Sequence, residues 1–573
     1  MEGKNMGKKL SRRQFLTQAG QTVLTGSLLT IITGHSACSS RYDVIIREAL
    51  VVDGSGRPPF PADVGLRGNN IVTIGKIGNS RAGRIIRADG LCLAPGFIDA
   101  HNHTDVQLLV CPTADSLVHQ GVTTIVAGNC GSSRFPLTEE MLADEKKYLK
   151  EEYDIEVDWS DLNGFLRRLE EARPAINYAT LVGQGTIRAA VVGYDNRRAS
   201  AEELQKMKTL LESALKQGAV GLSSGLEYSP GSFASTEELI ELSRVLKGYS
   251  GLYATHMRDE EDQVLEALDE AVTIAEKAGV KLEISHLKVG YPRNWPKIDA
   301  LLQKIDEASN RRLQISADVY PYTAFSTGLS IFFPLWVREG KKEDFLARLK
   351  NPELEPKLRQ AFAEAEANVG SWENVLIAAV KTDRNRKLEG LNLKQASEQR
   401  GKDVFSFVRE LLLEEDGQVS MVCFAMSEEN LKKIIQHPLT CIGSDGELAS
   451  TSGPLHRGKP HPRYYGTFPR VLARYVREKP VLKLEQAVRK MTSWPARIFG
   501  LSRRGLIKEG YKADLVLFDL EKLEDKATWS EPHQYPEGIN YVLVEGQVVL
   551  ENGQITGKRP GRVLRNRGDG QVL

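Results

Sequence analysis

The chain has no excess of charge of either sign: 76 Lys and Arg stand against 75 Asp and Glu in 573 residues. Without a global field, a polyanionic partner such as nucleic acid finds no support, and any charge selection is local to a pocket. Cysteine is scarce. Six occur, none in a CxxC pair, and their spacings form no small-domain disulfide framework. Long hydrophobic runs are missing too. The apolar stretch Ala19 to Ile32 is shorter than the roughly 20 residues that span a bilayer, and it carries Gln21, Thr22, Thr25 and Ser27. No permanent membrane helix is expected. What remains, 41% hydrophobic and 26% charged, suits a soluble globular protein with a sizeable core. The length fits one large domain plus an accessory module.

The first 40 residues differ from the rest. Ser11-Arg12-Arg13-Gln14-Phe15-Leu16 precedes that apolar stretch and then small residues. A charged region, a short apolar core and small residues make an export signal, and the paired arginines resemble a twin-arginine signal. Residues 1–40 are therefore read as a leader, with an exported, periplasmic or cell-envelope location. Cys38 stands where a lipidated N-terminal cysteine would follow cleavage, although His35 occupies a position that such signals give to an aliphatic residue.

Residues 41–93 read as short strands broken by Gly, Pro and Asn turns, and residues 501–560 repeat that texture, with 561–573 as a tail. Neither piece buries enough surface alone, so both chain ends are expected to meet in one small β-sandwich. Between them, residues 94–500 alternate apolar β-type runs with helical patterns, which is α/β architecture with a parallel sheet. The runs begin at Gly96, Thr123, Tyr178, Val220, Leu252, Lys281, Gln314 and Thr440. Eight such units imply a (β/α)8 TIM-type barrel with its chemistry at the C-terminal strand ends. Residues 324–438, before the eighth run, form a long insertion with helical patterns, of the kind that serves as a lid.

The positions just past these runs carry the chemistry. His101 and His103 follow the first, Cys130 the second, His256 the fifth, His286 the sixth and Asp445 the eighth. Imidazole, thiolate and carboxylate are zinc's preferred ligands. His-x-His at a strand end turns both rings to one side. Of ten histidines, four take such positions, whereas His119, His437 and His533 read as structural or exposed.

These residues resemble the amidohydrolase superfamily and, within it, the N-acyl-D-amino-acid deacylases (D-aminoacylases). The matching stretches run in order from Pro95 to Arg463: Gly96-Phe97-Ile98-Asp99-Ala100-His101-Asn102-His103, Gly128-Asn129-Cys130-Gly131, Gly225-Leu226-Glu227-Tyr228, Thr255-His256-Met257-Arg258, Ser285-His286-Leu287-Lys288, Asp318-Val319-Tyr320-Pro321-Tyr322, Gly443-Ser444-Asp445-Gly446 and His461-Pro462-Arg463. Many amidohydrolases bridge two metals with a carboxylated lysine after strand four. Here Ala219 to Ser224 has none, and Cys130 takes that part. The resemblance implies a tight Zn2+ on Cys130, His256 and His286, and a second, weaker position at His101, His103 and Asp445 with Cys130 as bridge. It makes Asp445 the general base and acid, and assigns the substrate carboxylate to Lys288, Tyr320, Ser326 and Arg463. The implied substrate is an N-acyl-D-amino acid.

Rival readings remain at this stage. A cyclic amidohydrolase of the hydantoinase or dihydroorotase kind is disfavoured by the missing lysine, and an amino-sugar deacetylase by Cys130 and the His461-Pro462-Arg463 element. A peptidase of D-residue dipeptides stays open. An exported binding protein with a degenerate site is disfavoured because every presumed ligand is present.

Overall fold

The computed structural model describes residues 42–573. The leader and Cys38 lie outside the described residues. Among those described, no helix is long and apolar enough to cross a membrane.

Each of the eight apolar runs contains a parallel strand. Phe97–Asp99, Val122–Ala127 and Asn177–Thr180 form one sheet. Val182–Gly183, Gly221–Gly225, Leu252–His256, Lys281–Ile284, Ile315–Val319 and Thr440–Ile442 form a second, in that spatial order. The two sheets are not separate bodies. Only Leu181 divides Asn177–Thr180 from Val182–Gly183, and its N–H donates to the Ala127 carbonyl at 2.9 Å. At the opposite edges a parallel bridge joins Asn102 to Gly446. The strands are buried almost throughout because helices cover them, and this includes polar residues such as Ser223, Glu283, Ser316 and Asp318.

Those helices carry local start and stop signals. Ala201–Lys216 opens with a capping box between Ser200 and Glu203. Val264–Ala278 buries Ala267, Leu268, Ala271, Ala275 and Ala278 on one face and ends at Gly279, whose φ of 71° closes the helix.

The insertion departs from the expectation of a helical segment. It has helices at Lys342–Lys350, Glu355–Val369 and Val404–Glu414, but also an antiparallel sheet of Phe325–Gly328, Val375–Val380 and Val419–Cys423. Phe333, Phe362, Trp372 and Phe407 give it a core of its own. A short, wholly apolar segment such as Val375–Val380 has no period that separates strand from buried helix, so its partners decide.

The two chain ends do meet. Cys92–Pro95 pairs antiparallel with Leu515–Phe518, joining the strands of residues 42–95 and 515–555 in one sheet of nine. Ile46, Val64, Leu66, Leu515 and Leu543 share one apolar cluster there. The final stretch, read as a tail, runs along a parallel strand: Tyr178 N–H donates to Arg562 and Leu564 N–H to Tyr178, at 2.9 and 2.7 Å.

Candidate metal centre

Strand alternation places His101 and His103 on the same side just past the first parallel strand. His101 Nδ1 lies 3.0 Å from Asp318 Oδ2, at the end of the seventh strand. That contact leaves His101 Nε2 facing Cys130 Sγ at 3.4 Å, His103 Nε2 at 3.3 Å and Asp445 Oδ1 at 3.5 Å. Cys130 Sγ is also 3.4 Å from His286 Nε2. Asp445 is held from both sides, by His103 Nε2 at 2.9 Å and Arg463 NH1 at 2.9 Å.

The backbone is strained where these side chains converge. Cys130, His286 and Asp445 have φ of 51°, 36° and 50°, in the left-handed region that ordinary residues avoid. Close approach requires glycine beside them: a Cβ on Gly131 would lie 2.6 Å from the Gly225 nitrogen.

One ligand atom each from His101, Cys130, His286 and Asp445 lies within 4.8 Å of the others, and the same holds for His256, Glu260 and His286. The two groups share His286 but divide the expected ligands differently: Cys130 falls with His101 and Asp445, His256 falls with Glu260, which was not expected, and His103 belongs to neither. His256 turns Nε2 to Glu227 Oε2 at 2.9 Å, and its Nδ1 is buried without a hydrogen-bond partner. Burial pushes the Cys130 thiol up, yet His101 and His286 bring it well below its ordinary value. Burial lowers His101 and His256, but Asp318 and the Cys130 sulfur raise His101, and Glu260 and the Cys130 sulfur raise His256, well above their ordinary values. Anions that load imidazoles with protons in this way are asking for positive charge. A thiolate, imidazoles, a carboxylate and an orphaned ring nitrogen fit zinc.

The proposed carboxylate receptors line a cavity of about 810 Å³ beside this cluster. Lys288 pairs with Glu260 and lies 2.7 Å from His286 Nδ1. Arg463 is 4% exposed, stacks on the Tyr320 ring at 4.8 Å and leaves its Nε without a hydrogen-bond partner. Ser326 is less free than expected: its hydroxyl donates to the Met421 carbonyl at 2.7 Å. The insertion supplies Phe325, Ser326, Thr327, Ile331, Ala378 and Ser420 to the cavity wall.

Several site residues escaped the sequence reading. Glu260 sits four residues after His256 in the run Asp259-Glu260-Glu261-Asp262, where nothing marks which acid turns inward. Glu227 and Asp318 lie in the quoted motifs but carried no role. His461 accepts from the Arg463 N–H at 3.0 Å and lies 3.0 Å from the Ala324 carbonyl, which fixes the start of the Arg463 helix. His119 and His437 stay away from the cluster, stacked on Tyr535 and paired with Asp306. His533 bonds to the Tyr465 hydroxyl.

The sequence model of the Amidohydrolase family matches residues 393–550. The N-acyl-D-glutamate deacylase of Alcaligenes xylosoxydans xylosoxydans is 36% identical over 525 residues, covering 92% of this chain and 97% of that protein. The chain belongs to the N-acyl-D-amino-acid deacylase family of amidohydrolases. Two solved members of the family superimpose on it over nearly their full lengths. One is a D-aminoacylase studied for its binuclear metal centre (36% identity, TM-score 0.77, 92% of this chain and 100% of that one). The other is the N-acyl-D-glutamate deacylase of Bordetella bronchiseptica, complexed with zinc and a phosphonate mimic of the tetrahedral intermediate (34% identity, TM-score 0.78, 91% and 99%).

Proposed function

We propose that this family member hydrolyses the amide bond of N-acyl-D-amino acids, releasing a carboxylate and a free D-amino acid. The observation that carries the reading is the meeting of two sets of groups in one cavity. The Cys130–His286–His101–Asp445 cluster stands beside Arg463 and Lys288, so a metal site adjoins a carboxylate receptor. Cys130, His256 and His286 would hold zinc tightly, and His101, His103 and Asp445 a second, weaker ion. Bound zinc supplies Lewis acidity that polarises the scissile carbonyl.

The chain's own groups do the rest. Asp445, aimed by His103 and Arg463, takes a proton from the water that adds to the carbonyl carbon and gives it to the nitrogen as the C–N bond breaks. A free amine is a poor leaving group, so that second transfer matters as much as the first. Burial pushes the Asp445 carboxyl up, but Arg463 and then His103 hold it well below the usual carboxylate range, so it is ready as a base. Arg463 and Lys288 receive the α-carboxylate, with the Tyr320 hydroxyl beside them.

The architecture we infer is a (β/α)8 barrel, closed at Leu181 and at the Asn102–Gly446 bridge, over residues 94–500. A β-sandwich from residues 41–93 and 501–560 accompanies it, and residues 324–438 shape the cavity mouth. The twin-arginine-like residues 1–40 support export to the periplasm or cell envelope.

The test is amine release from paired N-acetyl-D- and N-acetyl-L-amino acids by zinc-loaded protein. Release from the D-series alone is expected. Equal release from both series, or none with zinc bound, would overturn the reading.

A further inference from the structure

Overall similarity does not tell which D-side chain is accepted. A D-aminoacylase and an N-acyl-D-glutamate deacylase are each 36% identical to this chain. The charges in the cavity differ in kind from such a comparison, because a D-glutamate or D-aspartate substrate brings two carboxylates. On the deacylase reading, which this inference rests on, Arg463 and Lys288 take the α-carboxylate. A second carboxylate needs a further cation, since a buried charge without a partner is strongly disfavoured.

Among the described residues the cavity lining offers no further cation without an acidic partner, whereas Arg463, though paired, keeps its buried Nε unbonded for the α-carboxylate. Four Lys and Arg side chains line the cavity. Lys288 is paired with Glu260, and Arg463 with Asp445 at 2.9 Å. Arg134 is paired with Glu145 at 3.2 Å, and Arg457 with Glu152. Arg338 lies outside this lining and donates to the main-chain carbonyls of Phe333 and Glu227 at 2.8 and 3.2 Å. Acids, in contrast, are in surplus: among the described residues Asp144, Glu261 and Glu447 line the cavity without an ion-pair partner. Tyr228, Tyr291, Phe325 and Ile331 also line the cavity, the Tyr291 and Phe325 rings 6.5 Å apart, and give it an aromatic and aliphatic stretch of wall.

We propose that the cavity takes N-acyl-D-amino acids whose side chain is apolar and uncharged, seated against Tyr228, Tyr291, Phe325 and Ile331, and rejects derivatives of D-glutamate and D-aspartate. Specificity of this kind needs no clash. It follows from leaving a second carboxylate without a cation to pair with.

The experiment compares kcat/KM of the zinc-loaded full chain for N-acetyl-D-leucine, -methionine and -phenylalanine with N-acetyl-D-glutamate and -aspartate. Alongside, calorimetry measures binding of N-acetyl-D-leucine and N-acetyl-D-glutamate to the zinc-loaded Asp445→Asn variant. The apolar substrates are expected to lead by ~100-fold or more in kcat/KM, and N-acetyl-D-leucine to bind more tightly. An acidic substrate that matches or exceeds them in either measurement overturns the proposal. If no N-acetyl-D-amino acid is turned over, the deacylase reading fails, and the binding preference still decides the selection against acidic side chains. Ile331→Arg, which sets a cation on the apolar wall, should narrow the ratio by about tenfold or more. An unchanged ratio would remove that wall as the side-chain subsite.

Discussion

Arg463 NH1 lies 2.9 Å from Asp445 Oδ2, while the other oxygen of that carboxylate lies 2.9 Å from His103 Nε2. One side chain thus both aims the general base and, on the proposed reading, receives the substrate carboxylate. Asp445→Asn should keep zinc, by elemental analysis, and lower kcat by about 10²–10⁴-fold. Arg463→Ala tests the same pair by pH. Arg463 is the main attraction holding the Asp445 carboxyl low, and activity that needs the carboxylate is present above its pKa and lost as pH falls through it. Removing Arg463 raises that pKa, so the acid limb of the kcat/KM profile should move to higher pH, with a raised KM. An acid limb that stays in place would separate Arg463 from the base.

Cys130 touches both His101 and His286 through its sulfur. Cys130→Ala should lose bound zinc and turnover together, and added zinc should not restore either. In the unaltered chain, removal of metal with a chelator should abolish turnover, and zinc should restore it. A Cys130→Ala protein that retains stoichiometric zinc would move the metal elsewhere.

Glu260 is 4% exposed and meets three site groups: His286 Nδ1 at 3.0 Å, His256 Nε2 at 3.6 Å and the Lys288 ammonium. A carboxylate behind two histidines fixes their ring orientation. Glu260→Gln should weaken zinc about 10–100-fold in competition with a chelator dye. It should also raise KM, because Lys288 loses its anchor. Unaltered zinc affinity would show that the rings are oriented by their packing alone.

Asp525 joins the Tyr322 hydroxyl at 3.1 Å and the Arg470 guanidinium at 3.3 Å. Burial outweighs those partners and pushes its carboxyl up to about 6. The folded value lies above the unfolded one, so its contribution to stability is full below about pH 4 and is lost as pH rises through 6. Asp525→Asn should remove that dependence. In urea unfolding of metal-free protein, the variant's stability relative to the parent should rise by roughly 1 kcal/mol from pH 5 to pH 7. A constant difference across that range would place the ionisation of Asp525 outside it.

Much of the parallel architecture was legible because it is written in local pattern. Leu252–His256 and Ile315–Val319 are buried at every position because both faces of such a strand are covered, and their apolar residues mark them as strands. A residue just past such a strand needs no distant partner to be noticed, which is how His101, His103, Cys130, His256, His286 and Asp445 stood out. The insertion was legible only as helices. Phe325–Gly328 and Val375–Val380 are short, and both pair with Val419–Cys423 across intervening helices.

By itself, the sequence determined the alternation of strands and helices and the residue types offered at the strand ends, since periodicity and side-chain chemistry are properties of neighbours along the chain. Tertiary structure alone decided the partners. Asp318 reaches His101 across 217 positions, Asp445 reaches His103 across 342, and Glu260 is singled out from four consecutive acids because only its carboxylate is buried against His286 and Lys288. Those choices depend on where strands come to lie side by side, and no local period records that.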